Sequence, residues 1–138
     1  RILVHADDTV FMYDLAARKV IQEMTLPEGT VVKQIQWNSS YSHFVLITQT
    51  QIMMLTKNFE VLNSQKESSK VKSGCFDEND SFIYSTSTHI KYMFLEGKTT
   101  GTFKSVEEPV YLSFVSRVPP LPSHGHPSAH PTLCLLAY

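Results

Sequence analysis

Apolar residues in this chain fall into about a dozen short runs, separated by turn-forming residues. Phe44-Val45-Leu46-Ile47, Ile52-Met53-Met54-Leu55 and Phe82-Ile83-Tyr84 are rich in aromatic and branched types and bounded by Ser, Thr, Asn, Gln or Asp. Such short, bounded runs predict β-strands. They lack clean alternation of apolar and polar positions, so both faces of each sheet must be covered, as when small sheets stack. The pattern places strands at 1–5, 9–14, 20–25, 31–37, 43–49, 51–56, 60–64, 70–76, 81–86, 89–94, 101–106 and 110–115. Residues 15–24 carry helical propensity that Asp14 could cap, and are read as a turn followed by a strand.

Spacing adds a second signal. Leu3 and Phe11, Phe44 and Ile52, and Phe82 and Ile90 are each eight positions apart, and successive pairs start 41 and 38 residues apart. Ahead of the second and third pairs stands an aromatic followed by Asn or Asp, Trp37-Asn38 and Phe76-Asp77, where the ring anchors a strand end and the Asx side chain caps its own turn. Val110-Tyr111-Leu112-Ser113-Phe114 comes where a fourth repeat should open. A period near forty with about four short strands per unit matches one blade of a β-propeller. The expected fold is all-β, about three blades of a WD-repeat-like propeller.

Composition bounds the rest. The 138 residues suit one small domain, and 42% hydrophobic content is enough for a buried core. Twelve Lys plus Arg against thirteen Asp plus Glu give a net charge of −1, which removes the electrostatic case for nucleic acid. No apolar run reaches 18 residues, so no membrane-spanning helix is expected. Charge interrupts Arg1 to Asp8 too early for a secretory signal, and two cysteines make no disulfide framework, so a reduced intracellular setting is expected. After Arg117 the composition breaks: the final 21 residues hold five of seven prolines, three of six histidines and no charged Asp, Glu, Lys or Arg. The expected division is a partial propeller over 1–117 and an irregular or disordered Pro/His-rich tail over 118–138, since proline donates no ladder hydrogen bond.

Candidate chemistry is sparse. Gly97-Lys98-Thr99 resembles the end of a phosphate loop, but the required upstream glycine is Tyr92, which leaves a hairpin turn. His124, His126 and His130, with Cys134, have metal-ligand spacing, yet no rigid element orients them, so they are read as solvated. His5 with Asp7 and Asp8 reads as a strand end and a turn. Asn38-Ser39-Ser40 and Asn79-Asp80-Ser81 match the glycosylation acceptor and are read as two equivalent Asx/Ser turns in successive blades. Lys66, Lys70, Lys72, Lys91, Lys98 and Lys104, interleaved with Glu67, Asp77, Glu78, Asp80 and Glu96, read as a solvated rim. Trp37 reads as a core anchor. No catalytic, cofactor-binding or metal residue is assigned, and no enzyme is expected.

Val71-Lys72-Ser73-Gly74 with Asp77, then Phe82 to Thr86 and His89-Ile90-Lys91-Tyr92, resemble the alpha-subunit family of coatomer, the COPI vesicle coat. Arg1 to Val4 with Asp7-Asp8, and the strand from Val32-Lys33 to Trp37-Asn38-Ser39, are similar to the same stretch of that family, collinear to about residue 115. Phe76 stands where the family usually has tryptophan, and the turn at 26–30 is longer than expected. The resemblance implies part of the second of two propellers, in a non-enzymatic scaffold serving Golgi-to-ER and intra-Golgi transport. It further implies other coatomer subunits as partners, notably beta-prime, and a cytoplasmic location peripheral on Golgi membranes and COPI vesicles. No cofactor, nucleic acid or small-molecule substrate is implied. Dilysine cargo tails are read in that family by the first propeller, so no cargo-binding residue carries over. The tail beyond Ser116 is outside the resemblance and reads as the end of a truncated product. A generic intracellular WD-repeat interaction module outside the coat is the alternative.

Overall fold

The computed structural model describes residues 1–95, 100–118 and 132–137, and over them the chain is all-β. Strands β1 (Ile2–Ala6), β2 (Thr9–Asp14) and β3 (Lys19–Thr25) form a three-stranded antiparallel meander. A four-stranded meander follows: β4 (Val32–Trp37), β5 (His43–Thr48), β6 (Gln51–Thr56) and β7 (Val61–Lys66). A second one has the same order: β8 (Val71–Phe76), β9 (Phe82–Thr86), β10 (His89–Met93) and β11 (Thr100–Ser105). Each of the twelve expected strands lies on an observed one, with small shifts at the ends. The eight-residue pairs fall on β1–β2, β5–β6 and β9–β10, the same hairpin of each sheet.

The sheets stack in sequence order. Phe44, Leu46 and Leu55 face the first sheet, where they meet Val10 and Leu26. Val45, Ile47, Ile52 and Met54 face the other way and pack against Val71, Phe82, Tyr84 and Met93 of the third. Consecutive residues of β5 are thus buried on opposite faces, which is why the chain shows apolar runs instead of alternation. Each such side chain, once covered, stabilises the stack by about 1.5–3 kcal/mol. Ile83, Ile90 and Cys75 form a third core with Leu112 of β12 (Leu112–Val118), and the Leu112 N–H donates to Ser73 Oγ at 2.7 Å. β12 therefore packs beside β8, as the first strand of one blade lies beside the first strand of the previous one.

Residues 15–18 turn without forming a helix. Asp14 caps this turn, its Oδ1 accepting from the Ala17 N–H at 2.9 Å, and Arg18 takes a positive φ of 55° to enter β3. The Ala17 N–H holds the Asp14 carboxyl below its usual range. The long loop after β3 buries Leu26, whose N–H donates to Asp8 O at 2.7 Å, and turns at Gly29, where φ is +82°.

The last segment departs from the single irregular tail expected over 118–138. Val118 ends β12, and β13 (Thr132–Ala137) pairs with it antiparallel, Thr132 opposite Val118 and Ala137 opposite Leu112. The physical reason is that the prolines stop at Pro131, so the apolar run that follows can supply every ladder donor. Residues 119–131, with His124, His126 and His130, lie outside the described residues, as does the turn at 96–99 that contains Gly97-Lys98-Thr99.

Candidate functional site

Three features carry the polar chemistry of the described residues. The first is a pair of repeated turns. Asn38 is buried, and its Oδ1 accepts from the N–H groups of Ser42 at 3.0 Å and His43 at 3.1 Å. Asp77, also buried, does the same for Asn79 at 2.9 Å and Ser81 at 2.8 Å. In both turns the third residue after the Asx, Tyr41 or Asp80, adopts positive φ. The turns are joined, because Asn38 Nδ2 donates to Asp80 Oδ1 at 3.1 Å. This corrects one expected equivalence: Asn38 matches Asp77, not Asn79, because the Asx that follows the aromatic strand end is the one that caps. Burial also makes Asn38 a poor glycosylation acceptor.

The second feature is a buried polar triad between the second and third sheets. Glu67, whose side chain is only 4% exposed, accepts from Tyr84 Oη at 2.6 Å and from Lys91 Nζ at 2.8 Å. Tyr84 and Lys91 are cross-strand partners on β9 and β10, whereas Glu67 follows β7. Burial, aided by Glu67, pushes the Tyr84 phenol well above its ordinary value. Lys91 and Glu67 therefore leave the solvated rim to which the sequence reading assigned them. Nothing in the sequence flags them, because separations of 17 and 24 residues carry no periodicity and Glu67 sits in a polar stretch. Of the other rim lysines, Lys66, Lys70 and Lys104 are exposed and Lys72 is half-buried.

The third is a cleft of about 460 Å³ between the first two sheets, lined by Leu3, Met12, Ile35 and Trp37 together with Arg1 and Lys57. Trp37 anchors the end of β4 as expected, its ring 5.1 Å from Phe44, and its other side faces this cleft. Tyr41, 69% exposed, stands 6.0 Å from it. His5 lies next to last in β1, at the strand end, and Asp7-Asp8 form the β1–β2 turn, as read. No cluster of His, Cys, Asp or Glu among the described residues could hold a metal, and no described helix could cross a membrane. The arrangement offers rigid loops, exposed aromatics and grooves, which is the chemistry of protein contact.

Comparison with known proteins then decides the family. A model of the COPA/B second beta-propeller matches residues 1–118. The chain belongs to this family. Coatomer subunit alpha-1 of Arabidopsis thaliana is 31% identical over 115 residues, 83% of this chain and 9% of that protein. Coatomer subunit alpha of Saccharomyces cerevisiae is 31% identical over 114 residues, again 83% and 9%. This member of the COPA/B second-propeller family thus spans about a tenth of the length of the curated relatives it matches. Two solved structures share the fold: U3-55K, at TM-score 0.63 and 9% identity, covering 80% of this chain and 36% of its own, and the Dos1 propeller, at 0.62 and 14%, covering 77% and 30%. The match ends where β12 ends, so the COPA/B likeness covers the stacked sheets and stops before the proline-rich stretch.

Proposed function

We infer that this chain is a non-catalytic, structural part of the COPI vesicle coat, acting as a protein-interaction scaffold in Golgi-to-ER and intra-Golgi transport. The observation that carries the reading is the collinear family match over all the stacked sheets, residues 1–118. Its mechanism is surface presentation: the two four-stranded sheets, packed between neighbours, hold the Asx turns and the exposed Tyr41 in fixed positions. The partners are other coatomer subunits, notably beta-prime. Association with the cytoplasmic face of Golgi membranes comes second-hand, through the coat. Neither a cofactor nor a small-molecule substrate enters this role, and the near-neutral charge gives nucleic acid no hold. Residues 1–117 act as the propeller unit, and 118–138 lie outside the interaction role.

Affinity purification of the tagged chain from cells tests this. Coatomer subunits, beta-prime among them, should be enriched and the signal should overlap Golgi markers; their absence from the purified material would overturn the reading. A generic propeller module outside the coat is the second reading, favoured by the equal likeness of the fold to U3-55K and Dos1. It predicts a partner set with no coatomer subunit.

A further inference from the structure

β13 lies beyond residue 118, where the COPA/B match ends, yet it meets β12 in a register that the chain uses twice before. In the second sheet Val32 pairs with Thr48, Lys33 is skipped, and Gln34 to Trp37 pair with Ile47 to Phe44. In the third, Val71 pairs with Thr86, Lys72 is skipped, and Ser73 to Phe76 pair with Ser85 to Phe82. β12 and β13 repeat this step for step: Leu112 pairs with Ala137, Ser113 is skipped, and Phe114 to Arg117 pair with Leu136 to Leu133. Leu133, Cys134, Leu135 and Leu136 thereby hold the register positions of Phe44 to Ile47 on β5 and of Phe82 to Ser85 on β9. At those positions β5 and β9 are buried throughout.

The stacking specifies what such a strand does. Between the second and third sheets, Val45 and Ile52 share a core with Val71 of the first strand and with Phe82 and Tyr84 of the second. One repeat on, their equivalents Ile83 and Ile90 are 2% and 5% exposed and meet Leu112, the equivalent of Val71. The two remaining places, those of Phe82 and Tyr84, fall by register on Leu133 and Leu135. The closure differs, however. The earlier pairs are joined by five-residue turns, 38–42 and 77–81, each held by a buried Asx side chain. Arg117-Val118 supplies no Asx, and residues 119–131 intervene before β13. A longer closure without a capped turn costs more entropy, which makes this pairing the easiest of the three to undo.

We propose that residues 132–137 are a detachable cap: the second strand of a fourth repeat unit, laid on β12 with Leu133 and Leu135 in the places of Phe82 and Tyr84, covering the third sheet and able to leave it without unfolding the sheets before it. While paired, the cap fills the edge of β12 that β4 and β8 offer to β5 and β9, so no other strand can add there. When it leaves, that edge and the core around Cys75 become accessible. The proposal does not depend on membership of the coat.

Two substitutions one residue apart test this in the whole chain. Leu135→Ser alters the place of Tyr84, whereas Leu136→Ser puts there what β9 itself carries at that place, Ser85. Alkylation by iodoacetamide at pH 8 is followed by mass mapping of the Cys75 peptide, read apart from that of Cys134. Leu135→Ser should speed the reaction of Cys75 roughly tenfold or more, and Leu136→Ser should leave it within about twofold. Amide exchange in the parent should show the ladder amides of 132–137 protected, but less than those of β5. Leu135→Ser should erase that protection while β5 and β6 keep theirs. Equal effects of the two substitutions on Cys75, or unprotected ladder amides at 132–137 in the parent, would overturn the proposal. So would loss of protection in β5 on Leu135→Ser, because the cap would then be inseparable from the stack.

Discussion

Asn38 and Asp80, 42 positions apart, are joined by a hydrogen bond of 3.1 Å that ties the corner of one sheet to the equivalent corner of the next. The same Asn38 side chain satisfies two backbone donors of its own turn, so one buried residue closes a turn and links two repeats. Asn38→Ala orphans those donors and should cost about 1–3 kcal/mol in urea unfolding. Asn38→Asp keeps the acceptor but sets a second carboxylate against Asp80. Repulsion raises the pKa of the new carboxyl above its unfolded value, so the folded state binds the extra proton. The penalty of Asn38→Asp relative to the parent should therefore be small near pH 3 and grow as pH rises through the carboxylate range. A penalty independent of pH would show that Asp80 is not its neighbour in solution.

Glu67 holds Tyr84 and Lys91 across the boundary between two sheets. Glu67→Ala leaves the phenol and the partly exposed Lys91 ammonium without their partner and should destabilise by about 1.5–3 kcal/mol. Tyr84→Phe removes one charge-assisted bond and should cost about 1.5–3 kcal/mol.

The same phenol makes an alkaline prediction. Its folded pKa lies above the ordinary 10, so below that pH both states keep the proton and above it the unfolded state loses it first. Stability should fall as pH rises past about 10. Thermal melts between pH 8 and pH 11 should show a shallower fall for Tyr84→Phe than for the parent.

Gly74 lies under the ring of buried Phe82, where an added Cβ would overlap the ring and approach Ile83 O at 3.2 Å. Its backbone is ordinary, so the penalty for Gly74→Ala is steric, about 1–3 kcal/mol. Adding Phe82→Leu should make the double variant less destabilised than the sum of the singles, because the smaller side chain relieves the clash.

Burial, with Asp77 nearby, pushes the Cys75 thiol up to about 11. Because the thiolate is the reacting form, alkylation of Cys75 at pH 8 should be roughly a hundredfold slower in the folded chain than in denaturant. Mass mapping of the Cys75 peptide separates it from Cys134. Comparable rates would show that the third core opens readily.

Ile2, Tyr13 and Val20 form one cross-strand row of the first sheet, with Ile2 41% and Val20 47% exposed. The purified chain should therefore self-associate at micromolar concentration, and Ile2→Lys with Val20→Lys should reduce this in sedimentation. A monomer with a sharp melt would refute that expectation.

The apolar runs and the forty-residue period were enough to place the strands, the stacking and the blade repeat. Strand length, β-branching and the Asx after an aromatic are local signals, each acting within a few residues. What the chain order could not reveal depends on which side of a sheet a residue faces and what lies across it. Lys91 resembles any rim lysine until β9 and β10 pair and Glu67 arrives from the previous sheet. Asn38 and Asp80 meet, and the cleft between the first two sheets forms, only when whole sheets are stacked, because sequence separations of tens of residues carry no distance until the backbone has closed them.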